Sequence, residues 1–112
     1  MREAIERQGS RFLNRIFTNQ EQSYCERKRN KFENYAARFA VKEAFIKAKK
    51  GGRGRFAFNR IEVIRGVRGA PSIAIDDQAR KLFGVSKSAK FEVTITHERE
   101  FAVAVVVLFD PS

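Results

Sequence analysis

Along this 112-residue chain the hydrophobic rhythm starts helical and ends as strand. Ile5, Phe12, Leu13 and Ile16 fall roughly on one helical face, with Arg2, Glu6, Arg7, Arg11 and Arg15 largely off it. That spacing predicts an amphipathic helix over residues 2–15, weakened in the middle by Gly9-Ser10. Thr18-Asn19-Gln20-Glu21 is a capping-box pattern, in which the Thr hydroxyl accepts from the third backbone N–H and the Glu reaches back. It predicts a short second helix running into residues 25–30. The strongest helical segment is 31–49, where Phe32, Tyr35, Ala36, Phe39, Ala40 and Ile46 recur at helical spacings. Gly51-Gly52 supplies its C-terminal stop, inside a basic, glycine-rich loop over 49–55.

From there the period shortens. Residues 61–64 read as a strand, then a turn through Gly66 and Gly69, then a second strand over 72–75 that Pro71 marks as an edge or a start. Asp76 and Asp77 can cap a helix ending near Phe83, with Gly84 just beyond. Residues 91–96 alternate cleanly, His97-Glu98-Arg99-Glu100 turns the chain, and 101–109 returns as a wholly apolar, buried strand. Helices first, then a mostly antiparallel sheet with one helix interposed, is an α+β arrangement. The length suits one domain spanning residues 1–112.

Composition narrows the function classes. The longest apolar run, 101–109, is far short of the ~20 residues that a membrane span needs. The N-terminus is charged from Arg2, which is not a signal peptide. A single cysteine, Cys25, rules out an internal disulfide, and the protein is read as cytoplasmic. The net charge of +10 predicts anionic partners: a nucleic acid, a polyphosphate cofactor or an acidic protein.

Glu43 is the residue that stands out as chemistry. At about 100° per residue it falls about 20° from Phe32, between Phe39 and Ala36, in the middle of the apolar stripe. A carboxylate there costs several kcal/mol unless it is paired or bound to a metal. Lys47, four residues on, lies beside it and could simply form an ion pair. Periodicity alone leaves the ion pair and the functional site equally open. His97 has no companion histidine, so nothing supports a zinc centre, and Cys25 has no evident base partner. The runs Arg27-Lys28-Arg29 and Lys49-Lys50 are solvated faces or contacts for phosphate.

Arg38-Phe39-Ala40-Val41-Lys42-Glu43-Ala44-Phe45-Ile46-Lys47-Ala48 resembles the signature helix R-F-A-x-K-E-A-x-x-K-A of the holo-[acyl-carrier-protein] synthases, a group of 4'-phosphopantetheinyl transferases. Further matches keep the family's order. Arg11-Phe12-Leu13 with Arg15-Ile16-Phe17-Thr18 and Glu21 resembles its entry motif, Asn59-Arg60-Ile61-Glu62-Val63 its central strand, and Gly69-Ala70-Pro71 its G-x-P turn. Residues 94–104 resemble its S-[IL]-[ST]-H-x-x-x-[YF]-A-x-A hairpin. The resemblance runs from about Arg11 to Val107.

It implies helices on a small antiparallel sheet, and transfer of 4'-phosphopantetheine from coenzyme A to a serine of apo acyl carrier protein, releasing 3',5'-ADP. Glu43 would be a Mg²⁺ ligand and, with Lys47, catalytic. Arg38, Lys42, Lys47 and His97 would bind the cofactor, with Arg38, off the Glu43 stripe, touching phosphate at a subunit boundary. Arg11 and Arg15 would dock the acidic carrier, and the assembly would be a homotrimer with sites between subunits. The family opens with a strand G-[IV]-G-x-D-[IL]-x-E whose Asp is a second metal ligand. The chain begins inside the following helix, so it reads as an N-terminally truncated product or a mis-set start, which leaves full, weakened and lost activity all open for this form. Lys49-Lys50-Gly51-Gly52 replaces the family's Gly-Thr-Gly, and Glu98 follows the histidine where a hydroxyl is common. The rival from another class is a small basic nucleic-acid-binding module, with Lys28, Arg29, Lys49, Lys50, Arg53 and Arg55 on phosphates and Phe56 and Phe58 stacking on bases. No RNP, KH or helix-turn-helix pattern supports it.

Overall fold

A computed structural model describes residues 1–48, 54–65, 69–97 and 102–110. The expected stop at Gly51-Gly52, most of the basic loop, the turn at Gly66 and the turn after His97 lie outside them.

The predicted first helix is two: α1 (Arg2–Gln8) and α2 (Ser10–Ile16), separated at Gly9. Gly9 takes φ 60° and ψ −138°, a backbone setting that side chains disfavour, so the glycine bends the chain where the sequence pattern is weakest. The capping box forms as expected at the start of α3 (Asn19–Glu26). Thr18 Oγ1 accepts from the Glu21 amide at 3.1 Å, and Glu21 Oε1 accepts from the Thr18 amide at 2.9 Å. The long helix α4 (Lys31–Ala48) follows, then a 3-10 segment (Gly54–Arg60) kinked at Ala57, in place of open loop.

β1 (Glu62–Arg65) and β2 (Pro71–Ala74) pair antiparallel, with Val63 opposite Ile73. Pro71 takes the first position of its strand, where it donates no ladder hydrogen bond. Asp76 caps α5 (Asp77–Phe83) through the Ala79 amide at 2.7 Å, and Gly84 closes it in the left-handed conformation. β3 (Lys90–His97) and β4 (Ala102–Phe109) form the second antiparallel pair, with Val93 opposite Val106. The fold is α+β, as expected.

α4 lies across the β3–β4 hairpin and joins two core clusters. At its N-terminal half Tyr35 packs with Ile16, Phe17 and Cys25, the Phe17 and Tyr35 rings 4.8 Å apart. At its C-terminal half Phe45 packs with Ile61, Ala79 and Phe83. Phe45 meets Phe83 and Phe91 edge-on at 5.5 and 5.2 Å.

One expectation fails in β4, whose apolar run predicts a buried strand. Its inward side is half-covered, but Val103, Val105, Val107 and Phe109 are 50, 55, 51 and 41% exposed. An antiparallel pair needs to bury only one face, so an apolar run on both faces does not mean that both are covered within the chain.

Candidate active site

The orientation of α4 decides what the site can be. Its buried residues are Asn34, Tyr35, Ala37, Arg38, Val41, Lys42 and Phe45. At about 100° per residue, Glu43 points about 160° from the centre of that face. It is exposed, as is Lys47. This corrects the placement of Glu43 on the core-facing stripe. The residues that suggested the stripe, Phe32, Ala36, Phe39 and Ile46, are only half-buried. α4 is apolar on both sides, so hydrophobicity could not choose its rotation.

A polar cluster lies on the same buried face. Lys42, with no exposed side-chain surface, donates from Nζ to Glu21 Oε1 at 2.6 Å, to the Ile16 carbonyl at 2.7 Å and to the Phe58 carbonyl at 3.0 Å. Glu21, equally buried, also accepts from the Val63 amide through Oε2 at 2.7 Å. Every ammonium proton is used and the carboxylate receives three donors, which is the condition for a buried pair to persist. Burial pushes the Lys42 amine below its ordinary value, and the Glu21 carboxylate opposes that. Lys42, expected to bind the cofactor, therefore has no donor left for one.

Arg38 is also buried, at 2% exposure. Its guanidinium lies 4.4 Å over the Tyr24 ring and donates weakly to Asn34, while Nε has no hydrogen-bond partner among the described residues. It lines a surface pocket of about 380 Å³ with Arg27, Arg65, Gln20, Tyr24 and Glu62. A buried, unsatisfied guanidinium N–H beside two further arginines suits a phosphate oxygen.

The other expected residues are placed as follows. Arg11 and Arg15 are exposed on α2. His97 ends β3 opposite Ala102, with its side chain outside the description. Glu43 and Lys47 form no ion pair in the described structure. No group of three His, Cys, Asp or Glu among the described residues could hold a metal alone. Glu43 is an exposed carboxylate with no ion pair among the described residues, which fits Mg²⁺, an ion commonly held by one or two carboxylates together with waters and substrate phosphates. Phe58, which the nucleic-acid reading needs for stacking, packs on Phe39 at 5.6 Å.

Comparison with known proteins closes the question of family. Residues 1–106 match the family described as the 4'-phosphopantetheinyl transferase superfamily. A relative from Halothermothrix orenii named holo-[acyl-carrier-protein] synthase is 40% identical over 92% of this chain and 82% of its own length. The chain belongs to the holo-[acyl-carrier-protein] synthases. Solved structures of this family share its fold. A Helicobacter pylori synthase in complex with coenzyme A superposes with a TM-score of 0.80 at 28% identity, over 96% of this chain and 90% of that one. A Bacillus anthracis synthase in complex with CoA (3',5'-ADP) gives 0.75 at 33% identity, over 96% and 88%.

Sequence reasoning found the Glu21 capping box but missed that the same carboxylate partners Lys42. The signal was there in Tyr35, Arg38, Val41, Lys42 and Phe45, which recur at helical spacing. Reading two cations as interior residues requires knowing their acceptors, and two of those are main-chain carbonyls 26 and 16 residues away.

Proposed function

We propose that this chain transfers 4'-phosphopantetheine from coenzyme A to a serine of apo acyl carrier protein, leaving 3',5'-ADP. The observation that carries the mechanism is that α4 turns Glu43 and Lys47, one helical turn apart, to the same open face while its other face is locked into the core.

In this reading the carrier serine oxygen bonds to the β-phosphorus of the coenzyme A pyrophosphate as the bridging P–O bond breaks, the bonding pair leaving on the 3',5'-ADP oxygen and the serine proton passing to solvent. Such a transfer depends on positioning and on neutralising phosphate charge. Glu43 would hold Mg²⁺, and the ion would supply that neutralisation when bound. The exposed Lys47 ammonium contacts the pyrophosphate and steadies the departing oxygen. Arg38 offers its free Nε–H to a phosphate of the nucleotide in the pocket with Arg27 and Arg65. His97, at the end of β3, is assigned to nucleotide binding. Arg11 and Arg15, exposed on α2, dock the acidic carrier, where charge complementarity raises the encounter rate.

The assembly we propose is a homotrimer. Its support is the exposed row Val103, Val105, Val107 and Phe109, a contiguous apolar strand face of the kind found at subunit contacts. The free, buried thiol of Cys25 is compatible with a cytoplasmic location, and no described helix is long and apolar enough to cross a membrane.

Glu43→Gln tests the assignment. It keeps the shape of an exposed side chain, so stability should stay within about 0.5 kcal/mol, while Mg²⁺-dependent transfer should fall at least a hundredfold. Activity within a few-fold of the parent would remove Glu43 from the site.

A further inference from the structure

Lys42 and Glu21 lie outside the reacting groups, yet they sit where the parts of the site converge. The ammonium of Lys42 on α4 holds the last carbonyl of α2 at Ile16, the N-terminal turn of α3 through Glu21, and the 3-10 segment through Phe58. Glu21 in turn holds β1 through the Val63 amide and closes its own cap at Thr18. The helix presented to the carrier, the strand beside the arginine pocket and the helix bearing Glu43 and Lys47 are thus tied at one buried point. Lys42 immediately precedes Glu43 in sequence. With Lys42 held by three acceptors at 2.6–3.0 Å, α4 can neither rotate nor slide without breaking them.

We infer that the Lys42–Glu21 pair is a positioning device for transfer, fixing the rotation and height of α4 so that Glu43 and Lys47 meet the pyrophosphate while α2 presents the carrier. This inference rests on the reading of Glu43 given above. The clamp adds directional contacts to a rotation that the buried side chains of Tyr35, Val41 and Phe45 already favour. A displacement of about 1 Å at a reacting group can cost as much as a hundredfold in rate.

The test compares Glu21→Gln, the double variant Glu21→Gln/Lys42→Met, Glu43→Gln and Phe83→Leu. Phe83→Leu loosens the core against Phe45 but leaves the clamp intact. Each is assayed well below its own melting temperature, with circular dichroism verifying the fold. Positioning predicts that the two clamp variants lose about tenfold or more in kcat and need several-fold more Mg²⁺ for half-maximal rate. KM for coenzyme A should stay within about twofold, and Phe83→Leu should behave as the parent. If the folded clamp variants keep the parent's kcat and Mg²⁺ dependence while Glu43→Gln is inactive, the pair is structural only and the inference falls alone. Losses in Phe83→Leu equal to those of the clamp variants also overturn it. If Glu43→Gln keeps the parent's Mg²⁺-dependent activity, the reading of Glu43 fails and takes this inference with it.

Discussion

Replacing Lys42 with Met separates the worth of the buried pair from the cost of breaking it. The substitution nearly preserves volume, so it opens little cavity. It leaves Glu21 fully buried and charged, with only the Thr18 and Val63 amides as donors, and strips the Ile16 and Phe58 carbonyls of one donor each. Removing one partner of such a pair costs about 3–5 kcal/mol. The two amides still on Glu21 argue for the lower half of that range, so about 3 kcal/mol is expected. A domain of this size has about 5–15 kcal/mol to lose, so the variant should remain folded in the cold. Adding Glu21→Gln removes the stranded charge. Against an apolar or neutral replacement a buried pair is worth little net, so the double variant should be more stable than Lys42→Met by about 1 kcal/mol or more. Urea unfolding followed by far-UV circular dichroism, closed as a double-mutant cycle, measures the coupling, expected at about 2 kcal/mol or more. A Lys42→Met loss below about 1 kcal/mol, or additivity of the two single changes, would refute the account of the clamp.

Thr18→Ala should cost about 1–2 kcal/mol in the same assay, since Thr18 both caps α3 and donates to Glu62 at 2.6 Å; a change under about 0.5 kcal/mol would contradict it. Burial pushes the Cys25 thiol from 9.0 up to about 11. A pKa raised on folding gives stability that is whole below pH 9 and is lost as pH rises towards 11. The stability of the parent relative to Cys25→Ala should therefore fall by about 2–3 kcal/mol across that window, and a flat difference would show the thiol to be less buried than it is drawn. Arg15→Glu should weaken binding of the acyl carrier protein about tenfold or more while leaving coenzyme A affinity unchanged; equal loss of both by calorimetry would remove Arg15 from docking.

The sequence made the element order and fold class legible because its turns carry strong local chemistry. Thr18 to Glu21, Asp76 and Gly84 act within a few residues of themselves, and each did what its type requires. The rotation of α4 was not legible. Phe32, Phe39 and Ile46 form as good an apolar row as Tyr35, Val41 and Phe45, and the buried row is distinguished only by long-range partners, apolar for Tyr35 and Phe45 and polar for Lys42. Glu43 was therefore singled out for a placement that the fold does not give it. As an exposed carboxylate on the open face it is better placed to meet a substrate than it would be on a core-facing stripe. The apolar run of β4 misled in the opposite direction, because half of its hydrophobic surface is left uncovered by this chain.

The most direct test of the central claim is the mass of an apo acyl carrier protein after incubation with this chain, coenzyme A and Mg²⁺, with and without EDTA. The account predicts a gain of one phosphopantetheine per carrier that EDTA abolishes. A carrier of unchanged mass after incubation with folded protein, or a gain indifferent to EDTA, would contradict it.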